Sequence, residues 1–285
     1  MTVKPLDPAA SARAVRAALD EDLGTAGDVT SIAAVPEGCF GRATFVARER
    51  MVLAGLPLAA EVFRVLDPTV AFTPRIAEGD EVGAGTIVAE AAGPARSLLA
   101  GERTALNFLQ RLSGIATAAR AAVRAVEGTG AIVLDTRKTA PGLRALDKYA
   151  VAAGGANNHR AGLHDAVMIK DTHVAAAGGL GEAIRRCLAA GHPKERVTAE
   201  VRTLAELDEA IAAGAGRALL DNMTVAQLRA CVASGKGRII LEASGGLRPE
   251  ALREVAKTGV DALSLGYLTH SVRAADLAMD LEALP

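Results

Sequence analysis

Residues 131–173 read AIVLDTRKTAPGLRALDKYAVAAGGANNHRAGLHDAVMIKDTH. Two short apolar runs, 131–134 and 166–169, end abruptly in polar residues. The first is followed by Asp135, Thr136, Arg137 and Lys138, the second by Lys170 and Asp171. Between them, Pro141-Gly142 and Gly154-Gly155 bracket a helix-like segment, and His159-Arg160 adds a second cationic pair. Short apolar runs bounded by turn signals fit strands buried on both faces. Any one of these cations, taken singly, reads as a solvated loop residue. Their concentration at the ends of two buried strands points instead to a local anion site.

Working outward, the same order of apolar run, polar residue, loop and helix recurs. Further runs lie at 197–201, 218–220, 239–241 and 262–265. Helical segments are predicted near 143–153, 180–190, 204–213, 225–234, 249–258 and 272–281. Strand–helix alternation implies parallel strands joined by right-handed crossovers. Six such units favour an α/β barrel over an open sheet, and no eighth strand is evident.

The first third reads as a small α+β unit without obvious chemistry. Residues 7–22 form an amphipathic helix, with Asp7 as N-cap and Pro8 in its first turn. GTAGDVTS, residues 24–31, is expected to be a loop. Residues 40–53 alternate as a strand, 56–66 as a helix, and 69–93 as strands around a glycine-punctuated turn. A long helix is predicted over 95–126, where Leu98, Leu99, Leu106, Leu109, Leu112 and Ile115 recur at helical spacing. Gly101 and Ser113-Gly114 are expected to break or bend it.

Composition narrows the function. The chain has 285 residues, half of them apolar, and a formal net charge of −1. That balance argues against a nucleic-acid binder driven by bulk charge. Any basic site must be local. Cys39, Cys187 and Cys231 are widely spaced and read as reduced packing cysteines of a cytoplasmic protein. Lys4, Asp7 and Arg13 interrupt any signal-peptide core, and no run of 18 apolar residues predicts a membrane span.

In α/β barrels the active site gathers at the carboxyl ends of the strands. The first two runs end in Asp135, Arg137 and Lys138, then in Lys170 and Asp171. The later runs supply Glu200, then Asp221-Asn222, then Glu242, Ser244, Gly245 and Gly246, and finally Gly266. Arg137, Lys138, His159, Arg160 and Lys170 sort as an anion pocket, since guanidinium forks match carboxylates and phosphates. Glu200 and Asp221 are hard oxygen donors suited to Mg²⁺ beside substrate phosphates. Ser244-Gly245-Gly246, ahead of a helix, and Gly266 with Tyr267 suit a phosphate. Together they suggest group transfer from a phosphorylated sugar to a carboxylate-bearing acceptor. A Schiff-base aldolase using Lys170 is the competing chemistry.

At this point the motifs resemble a known family. DTRKTAPGLRALDKYAV (135–151), GGANNHRAGLHDAVMIKDTHV (154–174), LLDNM (219–223), LEASGG (241–246) and LTHS (268–271) occur in an order similar to that of the quinolinate phosphoribosyltransferases. These are also called carboxylating nicotinate-nucleotide pyrophosphorylases. EDLGTAGDVTS (21–31) and ERTALNFLQRLSGIAT (102–117) extend the likeness over nearly the whole chain. The resemblance implies an N-terminal α/β sandwich domain, 1–112, followed by an incomplete, open α/β barrel, 113–285, whose C-terminal tail packs back on the first domain. It implies transfer of phosphoribose from 5-phosphoribosyl 1-diphosphate to quinolinate in NAD biosynthesis. The products would be nicotinate mononucleotide, diphosphate and CO₂, with Mg²⁺ required. It implies a homodimer with shared sites and room for a higher oligomer.

By position, Arg137, His159 and Arg160 resemble the family's quinolinate-carboxylate binders, with Lys138 and Lys170 in the same cluster. Arg103 resembles the arginine that reaches in from the partner subunit. Glu200 and Asp221 resemble the acidic pair near ribose and metal. With Lys138 they form the implied catalytic group. Ser244, Gly245, Gly246 and Gly266 resemble the 5-phosphate loops. Two departures stand out. TAEVRT carries Thr198 and Arg202 where the family often has acidic residues, and KDTH carries Thr172 where it has Asn. The first puts the charge beside the metal in question. The remaining competitors are a phosphoribosyltransferase acting on nicotinate and a phosphate-binding barrel that has lost activity.

Overall fold

The computed structural model describes residues 5–284. In chain order the elements are α1 (Pro8–Leu23), α2 (Val29–Ala34), β1 (Phe40–Ala47), β2 (Met51–Val52), α3 (Leu56–Leu66), β3 (Ala71–Pro74), β4 (Glu81–Val82) and β5 (Ile87–Pro94). The long helix α4 (Ala95–Val126) leads to β6 (Ile132–Leu134), α5 (Arg144–Ala153), β7 (Val167–Ile169), α6 (Asp171–Ala177), α7 (Leu180–Ala189), β8 (Val197–Val201) and α8 (Leu204–Ala213). The chain then forms β9 (Arg217–Asp221), α9 (Val225–Gly235), β10 (Ile240–Ser244), α10 (Leu252–Ala256), β11 (Ala262–Ser264), α11 (Tyr267–His270) and β12 (Leu277–Leu284).

Two compact units result, and neither is one continuous block of chain. The first comprises residues up to 120 with 139–155 and 267 onward. The second comprises 121–138 and 156–266.

The second unit is a parallel sheet in the order β6-β11-β10-β9-β8-β7. Its two end strands, β6 and β7, do not pair with each other, so the predicted α/β barrel is present but open. The strands are buried because their side chains meet protein on both faces. Val133, Leu134, Ala199, Val201, Ala218, Leu220, Leu241 and Leu263 are all inaccessible or nearly so.

The first unit is built on an antiparallel sheet, β12-β1-β5-β3. Alternation along β1 sends Ala43, Phe45 and Ala47 inward. Phe45, Phe63 and Phe72 form an aromatic cluster with ring centroids 5.7–6.0 Å apart. The segment 139–155 is tied into this unit by polar clamps. Arg111 forks onto the buried carboxylate of Asp147 at 3.0 and 2.8 Å, and the Ala140 amide donates to the same group. Glu78 accepts from the Gly55 and Leu56 amides at the start of α3 and from the Tyr149 hydroxyl. Burial pushes Glu78 above the usual carboxylate range, and burial together with Glu78 pushes Tyr149 upward.

Several expectations are corrected here. Residues 272–281 are not a helix. They enter β12, which pairs antiparallel with β1 from Leu277↔Ala47 to Leu284↔Phe40. The run LAMDLEAL carries period-two alternation as well as helical spacing, and an available strand edge decides between them. GTAGDVTS is not all loop. Asp28 caps α2, accepting from the amides of Thr30 and Ser31 and the Ser31 hydroxyl. Residues 40–53 are two strands rather than one. Residues 249–258 are one 3₁₀ turn, Pro249–Ala251, and the five-residue α10.

Helix α4 runs unbroken through Gly101 and Gly114. These glycines serve packing instead. A Cβ on Gly101 would lie 2.6 Å from the Phe63 ring, and one on Gly114 would lie 2.1 Å from the Arg273 carbonyl oxygen. Gly114→Ala is therefore expected to destabilise the protein by about 2 kcal/mol or more in urea unfolding, because the obstacle is backbone. Gly83→Ala, where nothing lies within 4 Å, should stay within about 0.5 kcal/mol of the parent. Equal midpoints for the two variants would contradict the close-packing account.

Candidate active site

The carboxyl ends of the parallel strands open on a cavity of about 410 Å³. Its wall gathers Arg137, Lys138, His159, Arg160, Lys170, Glu200, Asp221, Ser244, Gly245 and Gly246, with Met168 and Leu219 as apolar surface. Every site residue predicted within the barrel lines it except Gly266, which lies two residues beyond Ser264 of the wall. Arg103 is not among the lining residues and is exposed on α4 of the first unit.

The loop carrying His159 and Arg160 is strapped to the end of β6. The Asn157 carbonyl accepts from the Asp135 amide and its own amide donates to Val133, while buried Asp135 accepts from the His159 amide at 2.7 Å. Asp135 thus faces the loop backbone. Arg160 is anchored by one nitrogen, Nη1, which donates to the Ala166 carbonyl at 2.8 Å. Its Nε is buried without a hydrogen-bond partner among the described residues. Burial, and then the adjacent Arg137, hold the Arg160 guanidinium below its ordinary value, with Asp165 offsetting part of this. Two guanidiniums side by side on a partly buried wall repel each other, and an anion between them relieves that repulsion.

Facing them are the carboxylates. Glu200 and Asp221 have side chains only 10% and 16% exposed. Lys170 Nζ lies 3.7 Å from Glu200. Asn222 Nδ2 donates to Asp221 at 2.8 Å. Among the described residues no group of three His, Cys, Asp or Glu side chains is placed to hold a metal. Glu200 and Asp221 nevertheless match the usual magnesium pattern of one or two carboxylates completed by water and substrate phosphates.

The phosphate-loop candidate has an exacting backbone. Asn222 adopts a left-handed φ of 54°, and its amide donates to the Ser244 carbonyl. Gly245 sits against it at φ 92°, where a Cβ would come within 2.3 Å of Asn222 Oδ1. Only glycine fits there. Gly246 is also left-handed, at φ 56°.

Sequence reasoning noted Glu242 at a strand end but gave it no role. It is fully buried, 2.6 Å from Arg217 Nη1 and 3.3 Å from His159 Nε2, and it accepts from the Ser264 hydroxyl. Because His159 Nδ1 accepts from the Arg160 amide at 2.7 Å, the hydrogen-bond pattern assigns its proton to Nε2, facing Glu242. Glu242 thus lies against the Nε2 edge of His159, whose opposite edge accepts from the Arg160 backbone. The available signal was a lone Glu in an otherwise apolar strand run, next to Ser-Gly-Gly.

Two family models cover the chain: "Quinolinate phosphoribosyl transferase, N-terminal domain" over residues 28–113 and "Quinolinate phosphoribosyl transferase, C-terminal domain" over 115–280. The chain belongs to the quinolinate phosphoribosyltransferase family. A relative named probable nicotinate-nucleotide pyrophosphorylase [carboxylating], from Bacillus subtilis, is 44% identical over 92% of this chain and 90% of that protein. Quinolinate phosphoribosyltransferase [decarboxylating] 1b of Nicotiana tabacum is 39% identical over 94% and 81%. The solved nicotinate-nucleotide pyrophosphorylase of Francisella tularensis superposes with a TM-score of 0.91 at 36% identity, covering 99% of each chain. An open parallel barrel and a separate antiparallel sheet are the architecture the resemblance implies for this family.

Burial pushes Glu242 up, but His159, Ser264 and Arg217 together pull it below the ordinary carboxylate value of 4.5. Its ionised form therefore contributes stability above the unfolded value, and that contribution is lost as pH falls through the lower folded value. Glu242→Gln should lower stability at pH 7 by about 3 kcal/mol, since it breaks a buried ion pair on one side. The gap between parent and variant should narrow below about pH 4.5 in urea titrations. A gap that is constant or widens on acidification would contradict the assignment.

Proposed function

We propose that this chain transfers phosphoribose from 5-phosphoribosyl 1-diphosphate to quinolinate and decarboxylates the product, yielding nicotinate mononucleotide, diphosphate and CO₂ for NAD synthesis. The observation that carries this reading is the placing of Arg137 beside Arg160 on a wall shared with Lys138 and Lys170, with the buried Nε of Arg160 lacking a hydrogen-bond partner among the described residues. Such a wall suits an acceptor with two carboxylates better than one with a single carboxylate.

In this mechanism the cationic wall grips both ring carboxylates and aims the pyridine nitrogen at the anomeric carbon. Ser244, Gly245 and Gly246 seat the 5-phosphate, so two reactants are held in one orientation. Glu200 and Asp221 would hold magnesium, which when bound supplies charge for the departing diphosphate. The same carboxylates stabilise positive charge developing on the ribose. As the C–O bond to diphosphate breaks, the ring nitrogen forms the new bond and becomes cationic. That cationic ring accepts the electron pair left at C2 when CO₂ departs, and a proton then takes up the pair. The acceptor's own ring serves as electron sink.

The family resemblance supports a homodimer, with Arg103 reaching the partner's site, and a higher oligomer is compatible with it. A cytoplasmic setting suits the free cysteines, and among the described residues no helix is long and apolar enough to cross a membrane.

Turnover decides the reading. With the sugar diphosphate, Mg²⁺ and quinolinate, CO₂ and diphosphate should appear in equal amounts. Nicotinate in place of quinolinate should give neither. Arg160→Ala should raise the KM for quinolinate by about 10- to 100-fold, the worth of a hydrogen bond to a charged group. Turnover of nicotinate alone, or of neither substrate, would sink the proposal. For the shared site, inactive Arg103→Ala and Lys138→Ala chains should regain activity when mixed. No recovery despite demonstrated subunit exchange would count against it.

A further inference from the structure

Arg202 stands on the carboxylates that the reading above gives to a metal. It follows Glu200 by two residues, just past the end of β8. Its amide donates to Glu206 at 2.6 Å in the first turn of α8, which fixes the stem. The guanidinium then reaches back toward the carboxylates of Glu200, Asp221 and Asp171. Its Nη2 lies 3.5 Å from Glu200 Oε1 and donates to Asp171 Oδ2 at 3.0 Å, while its Nε is 4.0 Å from Asp221 Oδ2. Lys170 covers the other Glu200 oxygen. Both oxygens of Glu200 and one of Asp221 thus face cations already.

A guanidinium cannot shed its proton at any ordinary pH. It can vacate these carboxylates only by moving, and half of it is exposed, with Asp171 on the rim to hold it. We propose that Arg202 is the resident counter-ion of the Glu200–Asp221 pair, blocking a free divalent cation until the diphosphate substrate brings one in. This rests on the phosphoribosyl-transfer reading. The incoming diphosphate carries enough negative charge to offset both the divalent ion and the displaced guanidinium, which stays on Asp171 beside it. The carboxylates therefore accept a metal–diphosphate complex, not a metal alone.

The test is Mn²⁺ binding to the full chain without substrate, read from the electron paramagnetic resonance of free Mn²⁺. A unit positive charge about 4 Å from the site should weaken cation binding by roughly tenfold or more. Arg202→Gln and Arg202→Met, neutral substitutions at an exposed position, should therefore bind Mn²⁺ at least about tenfold more tightly than the parent. Arg202→Lys, which keeps the charge, should bind as weakly as the parent. Adding Glu200→Gln to Arg202→Gln should abolish the gain. Equal binding by parent and neutral variants would overturn the proposal, as would a gain in Arg202→Lys or one that survives loss of Glu200. Absence of quinolinate turnover would refute the activity while leaving this comparison readable. Equal Mn²⁺ binding would refute the counter-ion role while leaving the activity standing.

Discussion

The site depends on one carboxylate that never meets solvent. Glu242 enters the barrel on β10 and is met from three directions, by Arg217 of β9, Ser264 of β11 and His159 from the loop after α5. An ionised group at that depth is tolerable only with such partners. Their arrangement therefore has to be kept, and keeping it fixes the register of neighbouring strands and the seat of His159. From there the His159–Arg160 backbone, strapped also to Asp135, presents Arg160 to the cavity.

A second constraint is the repulsion that this seat creates. Arg160 and Arg137 are brought together where burial already disfavours a charge. Two like charges held together in this way suit preorganisation for an anion. Across the cavity lies the opposite sign. Glu200 and Asp221 are given counter-ions from the chain itself, Lys170 and Arg202.

How far the sequence could be read depends on how local each signal is. The six barrel strands were visible because strands buried on both faces are continuous apolar runs. The residues just after them were visible because parallel topology sends all strand ends one way. The cavity wall, from Arg137 to Gly246, was read on that basis. Features decided by distant partners were not legible. Residues 277–284 became a strand because β1 offered an edge, and their spacing permitted either period. Gly101 and Gly114 resembled helix breakers, and only the ring of Phe63 and the carbonyl of Arg273 explain why they are glycine. Glu242 and Asp135 looked like two more strand-end acids, and only burial separates these positioning groups from Glu200 and Asp221. Arg202 was visible as a departure from pattern, but its reach to three carboxylates required the fold.

The central claim is that the wall built on Glu242, His159 and Arg160 is a dicarboxylate seat. The most direct measurement is a crystal structure of the protein with quinolinate bound and no sugar diphosphate. The account predicts one carboxylate between Arg137 and Arg160, with Arg160 Nε donating to it, and the second carboxylate on Lys138. Quinolinate bound with a carboxylate facing Glu200 and Asp221, or with Arg160 Nε still unpartnered, would contradict it.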